Sequence, residues 1–443
     1  MGTSGSSTVS TRQQQIAKLA QQAKSMGFTS LNHHVDLDWL KEAYRRTRKD
    51  GATGVDGQTA DAYAAALDSN LQGLLERAKS GTYFAPPVRR TYIPKSGGPK
   101  DELRPIGIPT FEDKVLQRAV SMLLEPLYEQ DFLNCSFGFR PGRSQHQALS
   151  YLWKEQMSMD GGWVINLDIR KFFDTLSHAH LRELIERRVR DGVVKRLIGK
   201  WLNAGVLEGG TLSYPEAGSP QGGVISPALS NIYLHYVLDE WFEQEVKPRL
   251  EGRAAMVRFA DDARLVFALE SDARRVLEVL PKRFAAYGLT MHPEKTTLVN
   301  FMRPRQLPDE LEYAERPDTF DFLGFTHYWG RTRKGGWIIK RRTARDRLDK
   351  GLKKISEFCR RNRHKPMKQQ RDGLKRKLDG HFNYFGIICN YQSLKEFKLR
   401  AVRIWRTWLS RRSQRSHVTW ERMGELLLLF PLPKPRIRPA ATT

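Results

Sequence analysis

The stretch AMVRFADDARLVFAL, Ala255–Leu269, decides the fold. Two short apolar runs flank the acidic pair Asp261 and Asp262, which predicts a β-hairpin with the acids at its tip. Adjacent carboxylates set against apolar strands are costly unless a positive group compensates them. Upstream, WVINLDIRKFFD, Trp163–Asp174, reads as a second apolar strand that ends in Asp168. One acid from a neighbouring strand and one or two from a hairpin tip form a donor set suited to Mg²⁺, which prefers carboxylate oxygen and bridges to substrate phosphates. Two such ions stabilise the attacking and leaving oxygens of an in-line phosphoryl displacement. An acidic turn open to water is the plainer reading, and on these residues alone the two stay equal alternatives.

Working outward, Asp38–Arg48, Ala60–Ser80 and Phe111–Leu124 read as helices, the last stopped by Pro126. Val88–Lys95 and Leu103–Thr110 read as extended segments around a Ser96-Gly97-Gly98 turn. Phe172–Arg190 and Ser271–Tyr287 read as helical, with Pro281 a break or kink in the second. Basic amphipathic helices follow over Thr343–Arg361, Pro366–Leu378 and Leu394–Arg411. The expected class is α+β, mixed first and helical and basic second. The expected divisions are a tail over 1–35, a mixed body over 36–330, a helical module over 331–412 and a basic tail over 413–443, a possible DNA-binding segment.

The chain has 443 residues and a net charge of +25. From Arg331 onward there are 32 basic and 8 acidic residues, so that stretch carries +24 of the total. A field this one-sided points to a polyanion, nucleic acid ahead of a membrane surface. No apolar run approaches the roughly 20 residues needed to cross a bilayer, and the start MGTSGSSTVS lacks a signal-peptide pattern. Cys135, Cys359 and Cys389 form no CxxC pair, which argues against a disulfide framework and a cysteine zinc site. A cytoplasmic protein, nucleoid-associated when acting on DNA, is the expectation.

The blocks KDGATGVDGQT, VRRTYIPKSGG, LRPIGIPT, FGFRPGRSQHQA, LDIRKFFD, GSPQGGVISPALSNIYL, RFADD, GLTMHPEKT and DFLGF follow one another from about Gly51 to Phe325. In that order the chain resembles the group II intron-encoded reverse transcriptases, and GHFNYFGIICNY, Gly380–Tyr391, is similar to the thumb or maturase segment of the family. Each block alone is only moderately specific; the ordered set is highly specific. One departure is Phe259, where the family commonly has Tyr; an aromatic is kept, so activity is expected to survive.

The resemblance implies a right-hand polymerase: fingers and palm with an antiparallel sheet and helices, then an all-α basic thumb/maturase domain. Asp168, Asp261 and Asp262 would hold two Mg²⁺ while a primer 3′-hydroxyl attacks an incoming dNTP. Phe173 would block a 2′-hydroxyl, its alternative being a core aromatic, which is the preferred reading for Phe172. Lys95 and Arg104 would close over the triphosphate, Gln221 would meet the nascent base pair, and Lys295 would lie near phosphates or primer. Arg140 and Arg143 would contact template phosphate, with helix capping by Ser144 as the bland alternative. In the basic module Arg403 and Arg406 would grip nucleic acid, whereas Trp405 and Trp408 read as core.

The implied partners are group II intron RNA, an RNA template with a DNA or RNA primer, target DNA and dNTPs, with no membrane. Many relatives end in a nuclease domain with paired cysteines and clustered histidines, and none is expected here. Two other functions stand beside the polymerase: an RNA-binding splicing factor with a dispensable polymerase site, and a reverse transcriptase domesticated for defence or repair.

Overall fold

A computed structural model of the chain describes residues 4–94, 103–214, 218, 222–304, 318–413 and 417–438. The described strands are β1 Val88–Pro94, β2 Leu103–Ile108, β3 Trp163–Leu167, β4 Val206–Glu208, β5 Thr211–Ser213, β6 Ala254–Phe259, β7 Asp262–Phe267, β8 Thr297–Asn300, β9 Phe320–Phe322, β10 Phe325–Arg331 and β11 Trp337–Thr343. They form three sheets, ordered β2-β1-β4-β5, β6-β7-β3-β8 and β11-β10-β9. Helices account for most of the rest, so the chain is α+β.

Two compact units divide it: 1–144 with 165–297, and 145–164 with 298–443. The first unit carries the acidic hairpin. Strands β6 and β7 pair antiparallel from Ala254↔Phe267 to Phe259↔Asp262, leaving Ala260 and Asp261 as a two-residue turn. Ala260 takes the left-handed backbone, φ 59°, that such tight hairpins demand. Long helices in this unit include Phe111–Tyr128, whose apolar positions Val115, Leu116, Ala119, Leu123 and Leu127 are all buried.

That helix does not stop at Pro126, as the sequence suggests, but runs through it to Tyr128. Proline removes one bond, the one its amide would give to the carbonyl four residues back. That carbonyl, of Met122, accepts instead from Gln13 Nε2 at 2.9 Å. The helix Glu270–Ala285 likewise continues through Pro281, which lies on its exposed face. The expected helix over Phe172–Arg190 is divided into Phe172–Thr175 and His178–Glu186, with Ser177 accepting from the His180 amide as the cap of the second.

The chain ends also differ from expectation. The sequence suggests a loose tail leading into a helix near Ile16–Ala23, whereas the helix runs over all of Ser4–Gln22; Val9, Ile16 and Ala20, spaced to share one face, are buried, and Arg12 pairs with Asp36 at 2.7 Å. Within 413–443, Trp420–Leu429 forms a helix that buries Met423. Leu432 after it joins the same core as the preceding helices.

The second unit is not all-α. It combines the β9–β10–β11 sheet with the helices Gln145–Ser158, Arg345–Asn362, Met367–Phe385 and Tyr391–Ser410. The boundary expected at residue 330 falls within the paired β10–β11 hairpin, where Gly330 opposes Ile338. The helical core gathers Leu352, Ile355, Leu378, Phe382, Phe397 and Trp405. Trp405 is fully buried and donates its indole N–H to Gln370 at 3.0 Å. Trp408 packs at its edge, so both tryptophans belong to the core as the sequence suggests. Truncation of fully buried Phe382 to alanine should cost about 3–5 kcal/mol through lost burial and a residual cavity, read as a large fall in the thermal midpoint of the unfolding step that reports this core; a fall of only a degree or so would contradict the packing.

Candidate active site

Asp168 follows β3 directly, and its backbone is clamped by the segment Thr290–Thr296. Its carbonyl accepts from the His292 amide at 2.8 Å and from Thr296 Oγ1 at 3.3 Å. The Arg170 amide donates to the Thr290 carbonyl at 2.8 Å. Ile169 forms an antiparallel bridge with Met291. Here lies the local reason for GLTMHPEKT: it is the rail on which the first acid is mounted. His292 and Thr296 were not singled out from the sequence, where backbone pairing leaves no signal.

Asp261 occupies the hairpin turn. Arg258, three residues earlier, is wholly buried in β6. Its Nε and Nη2 donate to Asp239 at 2.7 and 2.5 Å, and Nη1 to Asn231 Oδ1 and to the Ala260 carbonyl, both at 2.9 Å. The remaining bond, from Nη2, reaches Ser136 Oγ at 2.8 Å. All five N–H donors are used. The block FGFRPG braces the turn from the other side: the Phe137 amide donates to the Arg258 carbonyl at 2.8 Å, and a Cβ on Gly138 would sit 2.3 Å from the Ala260 nitrogen. Arg258 and Asp239 were missed by the sequence reading. The available signal was an arginine inside an apolar strand, which must be paired if buried.

Asp168 and Asp261 line one cavity of about 440 Å³. Arg104, Phe173, His292 and Lys295 line it too. Asp261, Arg104 and Lys295, expected from three other sequence blocks, therefore join Asp168 and Phe173 at a single site. Phe173 is half-buried and meets Phe172 edge-on, while Phe172 is core. The Asp261 pKa is raised above the usual carboxylate range. Crowding that strips water from the carboxylate is the main cause; its own backbone amide opposes the rise, the Asp262 charge adds to it, Arg104 opposes it and Asp168 adds to it last. The side chain nonetheless remains open to solvent at the cavity.

Asp262 is not among the residues lining that cavity. It opens β7, and its Oδ1 accepts from Arg264 Nη1, two residues on and on the same strand face, at 2.5 Å. Among the described residues no cluster of three or more metal-ligating side chains is assembled. Two carboxylates converge, each with a free face toward the cavity, and one raises the proton affinity of the other. Hard oxygen donors of this kind fit Mg²⁺.

Other expectations fare differently. Arg140 is corrected: its side chain is buried and fully occupied by Glu129, at 2.9 Å, and by the Leu133 and Ser136 carbonyls at 2.7 and 2.8 Å. It pins the loop that supports the turn and has no donor left for a template phosphate. Arg143 is half-buried, donates to Asn134 at 2.8 Å and covers the Phe137 ring. Arg403 is exposed. Arg406 donates to the Val418 carbonyl at 3.1 Å and stacks over Trp420, 4.3 Å from the ring centroid, so part of its guanidinium holds the C-terminal segment. Lys95, Gln221 and the Ser96-Gly97-Gly98 turn lie outside the described residues.

Residues 93–327, more than half the chain, match the family profile described as reverse transcriptase (RNA-dependent DNA polymerase). The chain belongs to the reverse transcriptase family. Protein YkfC of Escherichia coli (strain K12) is 40% identical over 230 residues, covering 50% of this chain and 58% of its own length. Group II intron-encoded protein LtrA of Lactococcus lactis subsp. cremoris is 38% identical over 228 residues, covering 50% of this chain and 37% of its own. Nuclear intron maturase 2, mitochondrial, of Arabidopsis thaliana is 34% identical over 175 residues, covering 31% of this chain and 24% of its own. The likeness to group II intron reverse transcriptases read from the ordered blocks is met by the group II intron-encoded protein and the intron maturase among these relatives, and the chain spans less than two thirds of the length of each. No described helix is long and apolar enough to cross a membrane.

Replacement of Arg258 by methionine leaves Asp239 buried and unpaired, and should cost about 3–5 kcal/mol. Pairing it with Asp239→Leu should restore much of that loss, because two apolar groups then replace the ion pair. Chemical denaturation of both variants checks this; equal losses in the single and double variants would remove the pair from its supporting role.

Proposed function

We propose that this chain is an RNA-directed DNA polymerase encoded by a group II intron, copying RNA into DNA from dNTPs and binding the intron RNA to assist its splicing and mobility. The observation that carries the reading is the convergence of Asp168, Asp261, Arg104, Phe173 and Lys295 on one cavity from four widely separated sequence blocks. In this reading the first unit supplies fingers and palm, and the helices after Thr343 supply the thumb.

Asp168 and Asp261 would hold two Mg²⁺, which supply Lewis-acid stabilisation of the phosphoryl oxygens in an in-line displacement. Asp262, held by Arg264, adds negative potential beside them. Arg104 and Lys295 offer cations to the triphosphate and to the departing pyrophosphate. Arg104 is an exposed residue near the start of β2 and keeps the reach to follow its ligand. Phe173 presents an aromatic edge in the cavity wall, where a ribose 2′-hydroxyl would collide with it. Arg258 neither touches substrate nor moves protons. It fixes the turn, so that Asp261 meets the reacting groups with little reorganisation.

The exposed Arg403 and neighbouring cations on the helix Tyr391–Ser410 would contact RNA phosphates, giving affinity with steep salt dependence and little sequence information. Target DNA is a further partner of this reading.

Primer extension on an RNA template with Mg²⁺ and dNTPs tests the proposal. Asp261→Asn should reduce incorporation to background while RNA affinity changes by less than about twofold, as for a substitution that leaves packing intact. No incorporation by the unaltered protein would defeat the polymerase reading. Phe173→Ala should lower discrimination against ribonucleotides, by about a hundredfold if the ring alone rejects the hydroxyl. Unchanged ribonucleotide use would take the gate away from Phe173.

A further inference from the structure

The β10–β11 hairpin carries a feature that the polymerase cavity does not use. From Arg331 to Thr343 it holds six cations and no acid. Its register sets Arg331 directly opposite Trp337. Both continue the strand face whose inner positions, Phe325, His327, Trp329 and Ile339, are buried. At this end the packed face emerges into solvent, so an indole that would ordinarily be covered sits at the rim. The Arg331 guanidinium lies 4.0 Å from its ring centroid and is anchored by a bond from Nη1 to the Gly335 carbonyl at 2.7 Å.

Trp337 and Arg331 form one wall of a cleft of about 440 Å³. Met302, Arg303, Pro304 and the exposed Asp160 line the rest of it. Arg303 is held toward the cleft by Asp160 at 3.3 Å, yet its side chain remains 47% exposed. The Trp337 indole N–H is screened from water and has no acceptor among the described residues. A desolvated donor without a partner is a standing cost. That nitrogen has no surface open to the cleft, so the ring and not its N–H is what the cleft presents.

We propose that this cleft binds an unpaired nucleotide of single-stranded RNA. The base would stack against the Trp337 ring on the side away from Arg331, and the flanking phosphates would pair with Arg303 and Arg331. An aromatic face beside fixed guanidinium groups matches the composite chemistry of a nucleotide, since every base has a π-face and a charged linkage. A duplex is excluded from full engagement, because its bases are already stacked inside the helix and only phosphates would reach the cleft. The inference rests on the reading of the chain as an RNA-using polymerase and adds a strand contact apart from its catalytic cavity.

Titration of the full-length protein with a short unstructured RNA, and with an RNA duplex of the same length, tests it. Trp337→Leu should weaken single-strand binding about tenfold, and Trp337→Phe should retain most of it. Duplex affinity should change by less than about twofold for either. Arg303→Gln should flatten the salt dependence of single-strand binding by about one unit of slope. Equal single-strand affinity for the unaltered protein and Trp337→Leu overturns the proposal, as do equal losses for leucine and phenylalanine, or equal losses on single strand and duplex. If Trp337→Leu lowers the melting temperature sharply, Arg331→Gln on the exposed edge decides, and unchanged single-strand affinity there overturns the site. Failure of primer extension with Trp337-dependent binding intact defeats the polymerase reading alone; normal primer extension with Trp337-independent binding defeats this site alone.

Discussion

Beneath the acidic turn, a guanidinium at zero exposure has to find a partner for each of its five protons. A charge moved from water to a protein interior loses hydration worth several kcal/mol, and only good geometry with full hydrogen bonding offsets it. Arg258 meets that demand by drawing in Asp239, Asn231, Ser136 and the Ala260 carbonyl. The partners come from three separate parts of the first unit. One is the loop before FGFRPG, and another is the helix that begins at Ser226 and widens into π-type turns over His235–Asp239. The last is the hairpin itself. A mid-helix π segment places its side chains off the ordinary helical stripe and frequently marks a functional constraint; here it delivers Asp239 to the arginine. The ion pair is weak evidence for stability as such. What it specifies is position: with every donor used, the turn that carries Asp261 has one arrangement.

That positioning sets up the electrostatics of the cavity. Crowding around Asp261 raises its pKa although the side chain stays open at the cavity, and the charges of Asp262 and Asp168 push it further up, while its own backbone amide and Arg104 pull the other way. Of the three acids, only Asp262 has its charge countered by a fixed neighbour, Arg264. The division is consistent with β-strand alternation, since positions 262 and 264 share a face and the turn residue 261 belongs to neither face. Asp168 and Asp261 are left facing the cavity without a fixed cation bonded to either carboxylate among the described residues. Carboxylates with no bonded side-chain cation keep their oxygens available to a divalent cation, with which a permanent salt bridge would compete.

The hairpin, the strand ending in Asp168 and the α+β class were all legible in the sequence, because period-two burial and acids at strand ends leave a direct trace in residue order. Phe172 as core and Phe173 at the cavity were separated only through the family resemblance, because both lie in the helix Phe172–Thr175, where strand alternation does not apply. The role of Arg140 was not legible. An arginine beside a Pro-Gly turn looks solvent-facing in one dimension, and only the fold shows Glu129 and two carbonyls closing around it. Pro126 misleads for a comparable reason, since the rescue of its orphaned carbonyl comes from Gln13, more than a hundred residues away. The C-terminal helix and the first half of the N-terminal one were hidden by composition. Ser- and Gln-rich residues near Ser4 and cations around Arg411 mask apolar positions that are few but sufficient, Val9, Ile16 and Ala20 at one end and Met423 and Leu432 at the other.

The excess charge raises a different constraint. A compact body cannot host +24 from Arg331 onward without self-repulsion. Part of that load is held by aromatic rings rather than acids: Lys377 covers Phe358, Arg406 covers Trp420 and Arg411 covers Trp408. Such contacts are worth about 0.5–1 kcal/mol at exposed sites and leave the charge itself intact. Acids, by contrast, would neutralise it. Stacking therefore orders the cations on the surface while preserving the field that a polyanion would meet. The same rings anchor the C-terminal helix, because Trp420 is the first residue of that helix and Arg406 also holds the Val418 carbonyl just before it. Cation placement and core closure in this unit are consequently one problem, solved with one set of aromatic side chains. A phosphate backbone seated on that surface would relieve the repulsion and stabilise the fold through mass action at the same time.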